Sequence, residues 1–194
     1  MTYTSKELLT DIADELIVCR KCKLHKTRKN AVPGEGNIDN RIMFIGEAPG
    51  YSEDVKGRPF VGEAGKFLDI ALQEAVLSRD SVFITNIVKC RPPNNREPST
   101  EEIKACSPYL DRQIRVIKPK IIITLGNHST AYVFHKVGLL FDGITQVHGR
   151  FFEVSISKIE TTIFSTFHPA SALYNPRYKS LLLQDFRVLE EHLR

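Results

Sequence analysis

Residues 41–50, RIMFIGEAPG, contain the pattern that decides the fold. The apolar run at 41–45 stops at Gly46, which is typical of a buried strand that leads directly into a turn. Residues 81–87 (SVFITNI) and 120–125 (KIIITL) are two more short apolar runs that predict strands, and the first of them also leads into a polar loop. These runs therefore predict the central strands of a sheet.

Segments with helical spacing alternate with the predicted strands. Thr4 and Glu7 form a T-x-x-E capping box that opens a first helix, and Ser99 and Glu102 form another that opens a helix running toward Ile117. Further helices are predicted at 64–77, 127–137 and 178–193, and further strands at 150–157 and 161–167. Strands alternating with helices indicate an α/β protein. We predict a three-layer α/β/α sandwich around a mainly parallel sheet, in a single domain over residues 1–194.

Composition sets limits on the environment and the partners. The chain has 194 residues, 42% of them hydrophobic, and a net charge of +4, which permits a nucleic-acid partner without demonstrating one. Acidic residues interrupt the N-terminal apolar positions, so we expect no signal peptide, and no apolar run is long enough to cross a bilayer. Cysteines that look unpaired favour a reducing compartment. We therefore expect a cytoplasmic protein.

The four cysteines can be interpreted as one set of metal ligands. Cys19 and Cys22 form a C-x-x-C pair, which is a poor disulfide but a good two-thiolate chelate. Cys90 and Cys106 complete the set from the middle of the chain. Structural zinc usually takes two closely spaced pairs, whereas this second pair is widely spaced. From spacing alone, zinc and a four-thiolate iron–sulfur cluster are equally compatible.

Polar sequences follow three of the predicted strands. GEAPG (46–50) follows the first, Asn86 ends the second and His168 begins HPA (168–170) after the last. Alone, each is more often a turn, a capping residue or a satisfied histidine. Because the carboxyl ends of parallel strands meet at one edge, where α/β proteins bind ligands, the three together indicate a functional site.

The order of motifs along the chain carries a family resemblance. GEAPG (46–50), GRPFVG (57–62), TNIVKCRPP (85–93) and HPA (168–170), with the cysteines interleaved, resemble the family 4 uracil-DNA glycosylases, the iron–sulfur branch of that superfamily. CRKCKLHKTRKNAVPGEGN (19–37) is similar to the family's N-terminal signature. The resemblance implies a DNA repair enzyme that flips uracil out of DNA and hydrolyses its N-glycosidic bond. It also implies a [4Fe–4S] cluster on the four cysteines. We expect a monomer, and because the sequence has no convincing clamp-binding motif it identifies no recruitment partner.

The resemblance also implies roles in binding the base. Asn86 reads the Watson–Crick edge of the flipped uracil, and Phe60 is the stacking platform. Ala48 stands where family 1 relatives carry a water-activating aspartate, and it is expected to border the substrate. Glu53 is expected to bind the substrate, and either Glu53 or Asp54 would crowd the C5 side of the base and exclude thymine.

Two residues are expected to carry the chemistry. His168 donates a hydrogen bond to O2 of the departing uracil, where negative charge develops. Glu47 orients the attacking water or stabilises the cationic sugar, with Glu53 and Asp54 as alternatives. The other five histidines, His128 among them, have no motif support and are interpreted as structural or surface residues.

Contacts to DNA are predicted in two loops. Lys89, Arg91 and Arg96 place positive charge beside a predicted cluster ligand. Leu173 and Tyr174 occupy the loop from which relatives insert a side chain into the gap left by the flipped base. The alternative to the enzyme is a zinc-stapled, non-enzymatic nucleic-acid binding domain, which explains the cysteines but not the polar groups at the strand ends. A redox protein is a third possibility, although the sequence has no second cluster or flavin signature.

Overall fold

A six-stranded sheet forms the centre of the structure, a computed structural model that describes residues 3–194. The strand order is β1-β3-β2-β4-β6-β5. The inner strands β3, β2, β4 and β6 are parallel, and β1 and β5 pair antiparallel at the two edges. The strands are β1 Glu35–Gly36, β2 Ile42–Gly46, β3 Phe83–Asn86, β4 Ile121–Leu125, β5 Arg150–Ile156 and β6 Ile159–Thr166.

Helices flank this sheet, which confirms the predicted α/β sandwich. Helix α1 packs against α4, and α3 packs against α8. The capping boxes at Thr4 and Ser99 are both formed, as the sequence predicted. The helices are α1 Ser5–Ile17, α2 Tyr51–Lys56, α3 Glu63–Glu74, α4 Thr100–Ile117, α5 Asn127–Val137, α6 Ile144–Val147, α7 Ser171–Tyr174 and α8 Pro176–Leu193. No helix within residues 3–194 is both long and apolar enough to span a membrane.

The central strands are buried on both faces. Met43, Phe44 and Ile45 of β2 and Ile122 and Ile123 of β4 have no exposed surface. Helices cover both sides of a parallel sheet, so its strands have continuous apolar runs rather than alternating ones. Each such side chain contributes about 1.5–3 kcal/mol through burial. This explains why the runs at 41–45 and 120–125 predicted strands correctly.

The topology gathers four loops at one edge. Helices α2 and α3 connect β2 to β3, on one side of β2, whereas α4 crosses back to β4 on the other side. Ligand sites in such sheets lie at the carboxyl ends of the strands, where the connections diverge. The groups at or just after the ends of the four parallel strands are Glu47, Asn86, His128 and His168.

The shortest elements were not predicted. β1 has only two residues, and α2, α6 and α7 have only four to six residues each. Elements this short show no measurable periodicity, which is the main signal for secondary structure in a sequence. The long elements that place the site agree with the prediction to within a few residues.

Candidate active site and thiol cluster

Gly46 brings Asn86 and Phe60 together. It ends β2 directly beside Asn86, the last residue of β3, in the register of the sheet. A Cβ atom at position 46 would overlap Asn86 Oδ1 and would lie 2.6 Å from Phe60 Cζ. Only a glycine therefore leaves room for the amide and the ring to lie over the end of β2.

The side-chain oxygen of Asn86 has no hydrogen-bond partner in the part of the chain that the structure describes. Asn86 is 2% exposed, and its Oδ1 accepts no hydrogen bond from any group within residues 3–194. Leaving a buried acceptor unpaired costs about 1–3 kcal/mol, so such groups are rare away from binding sites. The atom is placed to accept a hydrogen bond from a ligand.

The backbone of Phe60 is held in an uncommon conformation. Phe60 has φ +50°, in the left-handed region that non-glycine residues seldom adopt. Arg79 Nη1 donates to Phe60 O at 3.0 Å, and a Cβ at Gly65 would overlap the same carbonyl oxygen. Strain of this kind persists where the surroundings over-determine the backbone, often at functional sites. The ring, which is buried, is thus fixed in place.

Glu53 organises the loops around the site. Its Oε1 accepts from the backbone N–H groups of Val61 and Gly62, both at 2.8 Å, and its Oε2 accepts from Gly50 N at 3.1 Å. The carboxylate therefore ties the turn at 46–50 to the loop that carries Phe60. Its negative charge also raises the pKa of His168, against the larger effect of burial.

Asp54 serves a different part of the fold. It is buried, and its Oδ1 accepts from the backbone N–H groups of Lys29 at 2.8 Å and Asn30 at 3.3 Å. This carboxylate is used to hold the N-terminal loop and is not free to handle a water at the sheet edge.

His168 is a neutral imidazole with a defined tautomer. Burial is the main reason that its pKa is lowered to about 4, with His128 acting in the same direction and Glu53 against it. The backbone N–H of Ala170 donates to His168 Nδ1 at 3.1 Å, so Nε2 carries the proton of the neutral ring. The ring centroid lies 5.8 Å from that of Phe60. A cavity of about 350 Å³ borders His168 on the side of α5 and α6.

Glu47 faces an ionisable group that the sequence did not single out. Burial raises the pKa of its half-buried carboxyl, nearby Glu97 also raises it, and His128 lowers it. His128 Nε2 lies 3.9 Å from Glu47 Oε2 and 3.1 Å from Glu97 Oε1. The only sequence signal for His128 is its position three residues after the end of β4. Ala48 follows Glu47 and is half-buried.

The four thiols lie within one another's electrostatic reach. Burial raises the pKa values of Cys22 and Cys90, and raises that of Cys106 to about 12. Cys90 is further affected by Cys19 and Cys22, and Cys106 by Cys90 and Cys22. No group of three or more His, Cys, Asp or Glu side chains within residues 3–194 is close enough to hold a single metal ion. The mutual effects of the thiols on their pKa values place them in one region of the structure.

Two hydrogen-bond donors point at the sulfurs. Arg28 Nη1 donates to Cys90 Sγ at 2.9 Å, and its Nη2 donates to the main-chain oxygens of Ile17 at 2.7 Å and Cys19 at 3.0 Å. The backbone N–H of Lys89 donates to Cys106 Sγ at 3.2 Å. Such donors stabilise thiolate ligands and orient them around a metal centre.

The prediction that Lys89 contacts DNA is wrong. Its side chain is fully buried, and Nζ donates to Thr85 Oγ1, to Asn86 O at 2.7 Å and to Gln113 Oε1 at 2.7 Å. Burying an ammonium group is costly unless all its donors are satisfied, which these three acceptors achieve. Lys89 thus anchors the end of β3, where Asn86 lies, from beneath.

Comparison with known proteins places this arrangement in a family. The Uracil DNA glycosylase superfamily matches residues 33–189. A type-4 uracil-DNA glycosylase of Saccharolobus solfataricus is 57% identical over 94% of this chain and 85% of its own length. The type-4 enzyme of Archaeoglobus fulgidus is 45% identical over 95% of this chain and 93% of its own. That of Thermotoga maritima is 41% identical over 99% of this chain and 98% of its own.

The chain belongs to the type-4 branch of the uracil-DNA glycosylase superfamily. The superfamily match includes all the strand-end groups, as well as Cys90 and Cys106, whereas Cys19 and Cys22 precede it. In this type-4 member, the predicted Asn86, Phe60 and His168 come together at one edge of the sheet, and Glu47 lies at the same edge.

The remaining predicted DNA-contact residues of this type-4 chain lie in two places. Arg96 forms a two-point ion pair with Glu102 at 2.8 and 2.7 Å, and Arg91 donates to Asn95 Oδ1 at 2.6 Å. Leu173 is 42% exposed and Tyr174 is 87% exposed, in and near the end of α7.

Proposed function

We propose that this protein is a uracil-DNA glycosylase, which binds a uracil nucleotide flipped out of DNA and hydrolyses its N-glycosidic bond. The product is an abasic site, the substrate for the next step of base excision repair. The observation that carries the proposal is the buried, unpaired Oδ1 of Asn86 beside the ring of Phe60. Family membership gives that site its substrate class.

An amide is suited to distinguish uracil from cytosine. Uracil presents an N3–H donor beside the O4 acceptor, so Asn86 Oδ1 accepts from the first and Nδ2 donates to the second. Cytosine presents the reverse pattern at these positions and would leave the buried amide mispaired, at a cost of about 1–3 kcal/mol. Phe60 stacks on the base, which contributes about 1–3 kcal/mol more.

His168 stabilises the departing base. As the glycosidic bond breaks, negative charge develops on uracil and is concentrated partly at O2. Nε2–H of His168 donates to O2, a bond that strengthens as the charge grows and therefore favours the transition state over the bound substrate. A lowered pKa supports this role, because the ring donates its hydrogen bond without first having to take up a proton.

Glu47 acts on the other side of the reaction. Its carboxylate orients the attacking water or stabilises the positive charge on the sugar. The rival carboxylates are committed elsewhere, since Glu53 accepts three backbone N–H bonds and Asp54 holds the N-terminal loop. Ala48 has no polar side chain to contribute.

The four cysteines would hold a [4Fe–4S] cluster. Their chemistry fits it, because all four donors are thiols and two of the sulfurs receive N–H hydrogen bonds. Tetrahedral zinc has Zn–S bonds of about 2.3 Å and would require the four sulfurs close together around one point. The cluster supplies a cross-link between the end of α1, the loop after β3 and helix α4. The base-removal steps use the strand-end residues instead.

One assay tests the function. Purified, metal-replete protein is incubated with an oligonucleotide containing a single uracil and then treated with alkali, which cleaves at abasic sites. We expect cleavage at the uracil position only after alkali, and none when cytosine or thymine replaces uracil. A protein that binds the oligonucleotide but leaves no alkali-sensitive site would support the non-enzymatic binding domain. Sedimentation of the same preparation tests the proposed monomer.

A further inference from the structure

His128 is the group that the fold places at the active edge after β4. The other three parallel strands supply Glu47, Asn86 and His168, all of which have a role in the proposed reaction. His128 lies in the first turn of α5, and its ring reaches across to the turn at 46–50 and to the loop before α4. It is the one strand-end side chain among these four without an assigned task.

Two negatively charged groups lie on one side of the His128 ring. Its Nε2 lies 3.1 Å from Glu97 Oε1 and 3.9 Å from Glu47 Oε2, so one ring nitrogen faces two carboxylates on different segments. The third ionisable group in its reach is His168, which itself also faces Glu53. Charge on His128 therefore acts on both proposed catalytic groups at once.

The sign of that action matches what the reaction needs. Positive charge on His128 lowers the pKa of Glu47, against the effects of burial and of Glu97. It also lowers the pKa of His168. A carboxylate that stabilises a cationic sugar has to be ionised, and the proposed His168 donor is neutral. A positively charged His128 therefore favours both the ionised form of Glu47 and the neutral form of His168.

We propose that His128 is a positioning residue for base removal, which bridges Glu47 and Glu97 and holds the Glu47 carboxylate ionised and in place at the sheet edge. The inference rests on the proposed function, because Glu47 matters only if the site breaks a glycosidic bond. Glu97, on the exposed loop before α4, is the outer anchor of the bridge. His128 itself does not touch the substrate.

The pH dependence follows from the chemistry of the three groups. Glu47 is active as the carboxylate, so the rate falls as the pH drops through its pKa. A positive charge on His128 opposes protonation of the carboxylate. Without His128, Glu47 takes up its proton at higher pH, and the acid limb of the rate profile moves upward in pH.

The test compares His128→Asn with His135→Asn, which changes an exposed histidine on the same helix. Asparagine keeps an N–H donor but carries no charge. Single-turnover excision rates at saturating enzyme are measured from acid to alkaline pH. We expect the ratio of parent to His128→Asn rates to grow as the pH falls, and the His135→Asn profile to match the parent. An equal loss at every pH, or no loss, would overturn the proposal.

A second measurement does not depend on activity. Carbon NMR of the Glu47 carboxyl in protein without DNA reports its protonation directly. We expect Glu47 to titrate at higher pH in His128→Asn than in the parent; an unchanged titration would overturn the inference even if the enzyme is active. A parent protein that excises no uracil would instead overturn the proposed function, and the role of His128 in base removal with it.

Discussion

Asn86 Oδ1 and the ring of Phe60 both lie over Gly46, whose missing side chain leaves the space that they occupy. An added Cβ would overlap Asn86 Oδ1 and would lie 2.6 Å from Phe60 Cζ. Gly46 therefore lies between the end of β3 and the loop after α2, at the floor of the proposed base site. Filling the space over Gly46 with a side chain is a direct test of where uracil binds.

Gly46→Ala should therefore lower the rate of uracil excision sharply. The new methyl group displaces the amide and the ring together, so we expect single-turnover uracil excision to fall by about 100-fold, a loss of ~2.7 kcal/mol in transition-state stabilisation. Gly138→Ala is the control, since no atom lies within 4 Å of its added Cβ, although its φ of +75° costs some stability. Equal excision rates for Gly46→Ala and the parent would place the base elsewhere.

Asn86→Asp tests the reading of the base. A carboxylate can accept a hydrogen bond but cannot donate to O4, so we expect slower removal of uracil by about 100-fold and the appearance of slow cytosine removal. Excision is measured on matched oligonucleotides with uracil or cytosine at one position. Asn37→Asp is the control, because its Oδ1 only accepts from the N–H groups of Asp39 and Asn40, and aspartate preserves both bonds. A variant that removes uracil as fast as the parent would show that Asn86 is not the reader.

His168 should matter for the cleavage step more than for binding. We expect His168→Ala to lower the single-turnover rate by about 10²–10³-fold, the usual cost of removing one donor from a developing anion, with a much smaller change in DNA affinity. Equal losses in rate and affinity would contradict a leaving-group role.

Protonation of His168 should also be visible in stability. Its pKa is about 4 in the folded protein, whereas an unfolded histidine titrates near ~6.5. Between these two pH values the unfolded chain binds more protons than the folded one. The stability of the fold relative to the unfolded chain that depends on a neutral His168 is therefore fully present above pH ~6.5 and is lost as the pH falls toward about 4. Denaturant unfolding at several pH values should show a shallower decline across this window for His168→Gln than for the parent. Nitrogen NMR that finds His168 titrating near its usual value would contradict the neutral ring.

How far the sequence predicted this site depends on the kind of contact involved. Asn86, His168 and the turn at 46–50 were predicted to meet because strand ends in a parallel sheet lie at one edge, which follows from topology alone. The pairing of Asn86 with Phe60 came from the family resemblance. Glu53 was expected at the base, whereas its observed bonds are to Gly50, Val61 and Gly62, which lie close only after the loops have folded.

Lys89 and His128 show why other parts of the site could not be predicted from the sequence. Lys89 lies in a basic, proline-rich loop, a pattern that usually indicates a solvated surface, yet its chain folds back under β3 to reach Thr85, Asn86 and Gln113. His128 has no motif around it, and its importance comes from Glu47 and Glu97, which are far away in sequence. In both cases long-range packing decides the role of the side chain.

Arg28 offers a test of the cluster that does not involve catalysis. Its guanidinium joins Cys90 Sγ to the main-chain oxygens of Ile17 and Cys19, so it links the two halves of the ligand set. The ammonium of lysine cannot span these three acceptors in the same planar arrangement. Losing about 2 kcal/mol of charge-assisted hydrogen bonding should lower the melting temperature by about 4–8 °C.

We therefore expect Arg28→Lys to lose iron faster than the parent when exposed to a chelator, and to melt at lower temperature. Arg115→Lys is the matched control, because Arg115 is exposed on α4, the helix that carries Cys106. Iron and acid-labile sulfide are measured before and after chelation, together with thermal unfolding. If Arg28→Lys retained iron and stability like Arg115→Lys, the arginine would not support the cluster. If the purified parent held one zinc ion and no sulfide, the [4Fe–4S] assignment itself would be wrong.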